Sequence, residues 1–337
     1  MMGGYYVEEE LISVPLSGTR DMGGNTSHVD YDYPPLELPT ASQVTLITLY
    51  TLTGLASLLG NGLVILVLCC VRRNHSNLSR YLVNLAVADL TMVVFCIPFT
   101  FTETMLGHWV FGRAMCPLAQ FMQVLSVGVS IFTNTAIGID RYYAVVHPLK
   151  QRVTKTRTLG VIGFTWILSL AIAFVMLIIG RARSFFYNKD VFWECREDWY
   201  SRSYARTYTI FLLVITYLAP LFILTFTYYQ ICNILWHRQA PGNADESRDR
   251  NHIASKRKVT KMLIVLVLVF ALCWLPLHIF TLAVDIAPRI LRLQTKAQER
   301  AFYALFYTAH WLAMASSFTN PIVYCFLNED FMVRSNV

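Results

Sequence analysis

Seven stretches of this chain are almost free of charge. They run 41–71, 81–102, 114–139, 158–180, 207–237, 262–284 and 301–328, and Asp89 is the only Asp, Glu, Lys or Arg in any of them. About 20 apolar residues at ~1.5 Å of rise each cross a hydrocarbon core of about 30 Å. Each stretch is therefore long enough to span a bilayer as a helix. A soluble helical core does not repeat such a run seven times, and a membrane barrel would alternate over segments of ~10 residues. Only 15% of the 337 residues are charged, against about 25% in soluble domains. The expected fold is an all-α membrane protein: a seven-transmembrane helix bundle over 41–328. Residues 1–40 precede it as an acidic, disordered tail, and 329–337 follow as the start of a short amphipathic helix.

An odd number of spans puts the two termini on opposite sides. The loops at 72–80, 147–157 and 238–261 carry 3, 4 and 7 Lys or Arg. Positive loops stay cytoplasmic, so the N-terminus is expected outside. The net charge of +7 is explained by these inner loops, and gives no reason to expect nucleic acid. An outside tail makes Asn25, in "NTS", a candidate glycan acceptor.

Eight cysteines divide by the same topology. Cys69, Cys70, Cys96, Cys232, Cys273 and Cys325 fall within spans or at their inner ends, where the simplest reading is a small buried apolar residue. Cys116, at the outer end of span 3, and Cys195, in the loop before span 5, both face the oxidising side. A bridge between them would clamp that loop to span 3.

Polar groups in hydrocarbon need partners, and an intramembrane acid is a functional-site hypothesis. Counted from the membrane faces, Asn61, Asp89, Ser130, Ser316 and Asn320 fall near one level. A buried carboxylate among hydroxyl and amide oxygens suits a small hard cation such as sodium. A purely structural hydrogen-bond network is the other reading. Pro220, Pro276 and Pro321 fall inside spans and should kink them. Trp274 lies beside Pro276 and could relay packing changes along the helix. The deep positions hold no paired carboxylates, metal cluster or nucleophile–base motif, so no enzyme is expected. A transporter would show repeats and several intramembrane charges, whereas Asp89 stands alone.

Taken in order, "GN" in span 1, "LAVAD" in span 2, "DRY" after span 3, Trp166 in span 4, Pro220 with Tyr228 in span 5, "FALCWLP" in span 6 and "NPIVY" in span 7 resemble the rhodopsin-like (class A) G-protein-coupled receptors. The resemblance covers about 44–334. It implies that Arg141, held at rest by Asp140 and followed by Tyr142, faces a heterotrimeric G protein in the active state. Tyr228 and Tyr324 would rearrange around it. Ile131, Pro220 and Phe270 would form a packing switch above, with Trp274 at the pocket floor and Pro321 in the span 7 kink. Pro148 and Leu149 would insert into the G protein. Asp89, Ser130 and Asn320 would hold sodium as an allosteric ligand, with no other cofactor. Ser316 stands where many relatives carry Asn. Arrestin and surrounding membrane lipid are the remaining implied partners.

Several ligand classes fail on chemistry. All seven lysines are in loops or at span ends, and Met314 occupies the position where an opsin carries its Schiff-base lysine. Span 3 offers Gln123 and no acid where a monoamine needs a counter-ion, and an unpaired buried ammonium is costly. Thr100, Gln123, His278, Asp285 and His310, above Trp274, could instead converge on a cationic peptide with an uncharged, amidated end. Asp285 could grip an arginine by a bidentate pair. The combination Thr100, Gln123, Asp285 and His310 with "HWVFG" resembles neuropeptide Y-type receptors and their RYamide relatives, which bind peptides ending in Arg-aromatic-amide. Tachykinin-type and other RFamide-type receptors are the alternative.

Overall fold

The computed structural model describes residues 29–30, 39–71, 76–147, 154–187, 190–237, 246–287 and 295–327. Asn25, Pro148, Leu149 and residues 329–337 lie outside them, as does the side chain of Tyr324. Nine α-helices are among the described residues: α1 Thr40–Leu66, α2 Asn77–Phe95, α3 Ile97–Leu106, α4 Met115–Val146, α5 Lys155–Ile179, α6 Arg202–Leu213, α7 Ala219–His237, α8 Glu246–Ile286 and α9 Lys296–Leu327. Three strands, β1 Val29–Asp30, β2 Gly180–Tyr187 and β3 Asp190–Glu197, form one small sheet.

These helices make seven membrane passes because two passes are each built from two helices. In the second, α2 stops at Phe95 and α3 restarts with Pro98 in its first turn, where the missing N–H costs nothing. In the fifth, α6 passes through a π-turn, Val214–Leu218, into α7. That widened turn comes just before Pro220, which has no N–H for the ladder. A second π-turn, Val67–Val71, ends the first pass. Pro276 and Pro321 lie inside α8 and α9 without ending them.

Among the described residues six helical stretches are long and apolar enough to cross a membrane: Thr40–Cys70, Asn77–Leu106, Met115–Val146, Lys155–Ile179, Arg202–Trp236 and Arg257–Ile286. The seventh pass, α9, is a helix of 32 residues but more polar, since it carries His310, Ser316, Ser317, Thr319 and Asn320. Its polar residues do not face lipid. His310, Ser317 and Asn320 are buried, and α9 packs against α1, α2 and α8. Helix α4 is the central column, in contact with α2, α5 and α7. Close approach is written into it: a Cβ on Gly128 would sit 2.8 Å from Ser169 Oγ of α5, and one on Gly138 2.5 Å from Leu224 of α7.

Strands β2 and β3 form an antiparallel hairpin over the outer face. The disulfide Cys116–Cys195 ties β3 to the first turn of α4. Trp109 N–H donates to the Trp193 carbonyl at 2.7 Å, and the Arg113 guanidinium lies 4.5 Å from the Trp193 ring. Gly107 (φ 69°) ends α3 in the left-handed conformation and Gly112 (φ 78°) turns the following loop, whose carbonyl accepts from Trp109 Nε1. Parallel strand β1 pairs with β2. A segment of the tail expected to be disordered thus supplies a strand, because the hairpin edge presents unpaired backbone groups.

One set of expectations fails in part. Cys96 is buried and Cys232 and Cys273 are half-buried, but Cys69 and Cys70 are exposed. They lie on the side of the first pass that faces away from the bundle, where no described helix covers them.

Candidate functional site

Three polar layers follow the bundle axis, and each is assembled from helices far apart in sequence. In the outer layer, α9 places His310 in the core, 2% exposed. Its Nδ1 lies 2.9 Å from the Tyr50 hydroxyl of α1, and its Nε2 lies 3.4 Å from Gln123 Nε2 of α4. With an amide N–H facing it, Nε2 accepts, so Nδ1–H donates to the Tyr50 oxygen. The result is a neutral relay across three helices. Tyr50 was not anticipated from sequence, and no local signal marks it.

Gln123 also lines a cleft with Thr100 and Glu103 of α3, Gln120 of α4, Trp109 and Cys195. The cleft holds about 340 Å³ of empty space, part of it open solvent. Glu103 Oε1 accepts from the Cys195 backbone N–H at 3.2 Å, and Gln120 Nε2 donates to Cys195 Sγ at 3.5 Å. The hairpin is therefore fastened to the cleft by polar contacts as well as by the disulfide. Outside the spans, burial pushes the Glu194 carboxyl of β3 up, against the opposing pull of Arg196 and Arg183. Arg196 pairs with Glu194 at 2.9 Å, and Arg183 with Asp198.

Trp274 and His278 sit one turn apart on α8, both buried. Their rings are 6.1 Å apart, and His278 packs 4.8 Å from Tyr217. Trp274 Nε1 donates to Ser316 Oγ at 3.2 Å. His278 Nε2 is buried without a hydrogen-bond partner, so it can receive a polar ligand atom at no cost in broken bonds. Ile131, Tyr217, Trp274 and Phe270 share one apolar cluster. Pro220 is buried three residues after Tyr217. Asp285 is half-buried near the outer end of α8, and its backbone carbonyl accepts from Arg206 at 3.1 Å. Thr100 and Gln123 are thus brought together, as are Gln123 and His310, and Trp274 and His278. Among the described residues no hydrogen bond or ion pair joins the Asp285 side chain to them.

In the middle layer Asn320 Nδ2 donates to Asp89 Oδ2 at 2.7 Å, and Asp89 is 1% exposed. Asn61 Nδ2 reaches the carbonyls of Ser57 and Ser317 at 3.1 and 3.0 Å, while its Oδ1 is buried without a partner. Ser130 is half-buried and makes no hydrogen bond to Asp89 among the described residues. A buried carboxylate, an amide held to it and an orphaned amide oxygen are all hard oxygen donors of the kind a sodium ion takes.

In the inner layer the Arg141 guanidinium pairs with Asp140 Oδ2 at 2.7 Å, their side chains 27% and 8% exposed. Arg141 Nε is buried and unsatisfied. Tyr228 is buried in α7, its hydroxyl 3.6 Å from where a Gly138 Cβ would stand. Tyr142 packs against the Phe226 and His147 rings. Pro321 is buried against Gly60 of α1.

A bundle with a polar seam through its axis and an outer cleft under a disulfide-tied hairpin defines a seven-span membrane receptor. The chain belongs to the rhodopsin family of seven-transmembrane receptors, whose family model, "7 transmembrane receptor (rhodopsin family)", matches residues 60–324. This is a family of receptors, not of enzymes. The chain is 37% identical over 303 residues to a QRFP-like peptide receptor of Branchiostoma floridae, covering 89% of this chain and 78% of that protein. It is 34% identical over 313 residues to the RYamide receptor of Drosophila melanogaster, covering 91% and 66%. A substance-P receptor of Aquarana catesbeiana is 36% identical over 299 residues, covering 84% and 67%.

Proposed function

We propose that this chain is a plasma-membrane receptor, N-terminus outside, for an extracellular neuropeptide ending in Arg-aromatic-amide, and that it activates a heterotrimeric G protein. The observation that carries the reading is the neutral relay Tyr50–His310–Gln123 beside the cleft of Thr100. A buried neutral donor–acceptor set favours a carboxamide over a carboxylate or an ammonium, because an uncompensated charge there is costly. Asp285, nearer the outer end of α8, is the partner for the ligand arginine. The QRFP-like and RYamide relatives, each named for its peptide, support the class. The substance-P receptor relative supports the second reading, a receptor for a tachykinin-type or other RFamide-type peptide.

In the middle layer Asp89 and Asn320, together with Ser130, would hold sodium, which would supply a counter-charge for the buried carboxylate. At the inner face Arg141 would meet the G protein, and arrestin would use the same opening.

Cells displaying the full chain are challenged with amidated peptides, and calcium and cAMP are read together. Responses to Arg-aromatic-amide peptides are expected, and silence to all of them on well-displayed receptor rejects the subtype. A double-mutant cycle separates the two readings. Asp285→Asn should weaken an arginine peptide ~10–150-fold, the range of a lost charged hydrogen bond, and leave its Arg→Ala analogue nearly unchanged. Equal losses for both peptides remove the proposed ion pair.

A further inference from the structure

Helix α1 shows lipid one continuous stripe: Leu52, Leu55, Leu59, Leu63 and Leu66, all exposed, at steps of three and four residues along one helix face. The next positions in that series are Cys69 and Cys70. Both lie in the π-turn Val67–Val71, and both are exposed, while Val67 and Leu68 beside them are buried at 5% and 3%. The stripe of leucines therefore ends in two adjacent thiols. Among the described residues they are the only exposed free cysteines.

Their depth is informative. Asn61 shares the polar level of Asp89, near mid-membrane. Cys69 and Cys70 follow it by eight and nine residues, ~12–14 Å of helix, which is close to the ~15 Å half-thickness of a hydrocarbon core. Arg72 and Arg73 come next in sequence, as bases do where a span leaves the inner leaflet. Two thiols thus stand at the lipid–cytosol boundary on the side of the helix that none of the described residues covers.

We propose that Cys69 and Cys70 form an S-acylation site at the cytoplasmic end of the first pass. The acyl donor is a long-chain fatty acyl-coenzyme A. The cysteine sulfur attacks the thioester carbonyl carbon, a new carbon–sulfur bond forms, and the bond to coenzyme A breaks. Coenzyme A leaves as its thiol, carrying the proton the cysteine gives up, and nothing is oxidised or reduced. The attached chain enters the bilayer beside Leu66 and Leu63, fixing the end of α1 and the loop after it at the inner leaflet. The proposal rests on the inward orientation of this end, since the donor is cytosolic.

The test uses the full chain in cells. Free thiols are blocked with N-ethylmaleimide, thioesters are cleaved with neutral hydroxylamine, and each freed thiol receives a maleimide mass tag. Incorporation of alkyne-tagged palmitic acid is followed in parallel. One or two hydroxylamine-dependent tags are expected, all lost in the Cys69→Ser/Cys70→Ser double variant and retained in Cys232→Ser and in Cys325→Ser. If the double variant fails to reach the membrane, the two single variants decide, because at least one of them should lose signal while remaining displayed. The proposal is overturned by an untagged wild type, by tags that survive both serine substitutions, or by tags released by reductant alone, which would indicate a disulfide. An impermeant maleimide reaching these cysteines on intact cells would overturn the orientation and the proposal with it, whereas an unresponsive but acylated receptor would count only against the peptide reading.

Discussion

At the residue scale, His310 has the most to lose. It is the middle member of a relay that no local motif could bridge: Tyr50 is 260 positions away and Gln123 is 187. Replacing one member of a buried pair strands the other, at about 1–3 kcal/mol. His310→Ala should therefore lower the potency of an amidated peptide ~5–150-fold with display at the cell surface retained. Tyr50→Phe removes one hydroxyl of a residue that does not line the cleft and keeps the His310–Gln123 contact, so it should cost less, about 5-fold, the low end of the same penalty. Dose–response curves on matched receptor numbers measure both, and an equal loss for the two would mean that the relay acts only through packing. Asp89 is argued the same way. Asp89→Asn keeps the shape and the possibility of a bond to Asn320 while removing the charge. Agonist affinity should then stop depending on sodium, with potassium as the control salt. Unchanged sodium dependence would remove Asp89 from the proposed ion site.

At the element scale, helix contacts are set by small residues. A Cβ on Gly60 would meet Pro321 Cβ and Cγ at 2.9 Å, so α1 and α9 touch where α9 carries its internal proline. Gly60→Leu should separate them and cost about 1–3 kcal/mol, as overpacking does. A lower thermal midpoint in detergent is the readout. Gly54→Leu, where a Cβ meets nothing within 4 Å, should leave the midpoint unchanged and serves as the control. This contact also shows what sequence could and could not reveal. Lipid imposes a one-dimensional rule, so the seven passes, the inner bases and the isolated Asp89 could be read directly. The pairing of Cys116 with Cys195 followed from which side of the membrane each faces. Partner choice across helices obeys no such rule. Tyr50 and Gln120 look like ordinary residues of a span, and become notable only when another element is laid beside them. The break at Cys96–Pro98 was missed for a different reason: hydropathy runs unbroken through a proline that restarts a helix instead of ending one. The exposure of Cys69 and Cys70 was missed because composition does not say which face of a helix is covered.

At the scale of the whole molecule, the three layers are linked by rods. Helix α8, with 41 residues, is ~60 Å long and carries Asp285 and His278 near one end. Towards the other, Arg257 donates to the Leu235 carbonyl of α7 at 2.6 and 3.0 Å. Helix α4 has Gln123 in the outer layer and Asp140–Arg141 in the inner one. A ligand that moves the outer end of α8 relative to α4 must therefore strain or release the inner contacts, since packed helices shift between discrete arrangements rather than bending continuously. The ion pair Asp140–Arg141 costs nothing in binding energy outside, because it touches nothing in the cleft. It biases only the equilibrium between a closed and an open inner face. Asp140→Ala frees Arg141 and should raise signalling in the absence of peptide. Arg141→Ala removes the group proposed to meet the G protein, so peptide affinity should stay within about threefold, the change expected when only a bias on a two-state equilibrium is altered, while calcium and cAMP responses disappear. Binding of a labelled peptide to membranes, measured alongside signalling in the same cells, separates the two effects. If Arg141→Ala signals normally, or if binding and signalling fall together, the inner layer does not act as a latch and contact, and its pair would only mark where the third pass leaves the membrane.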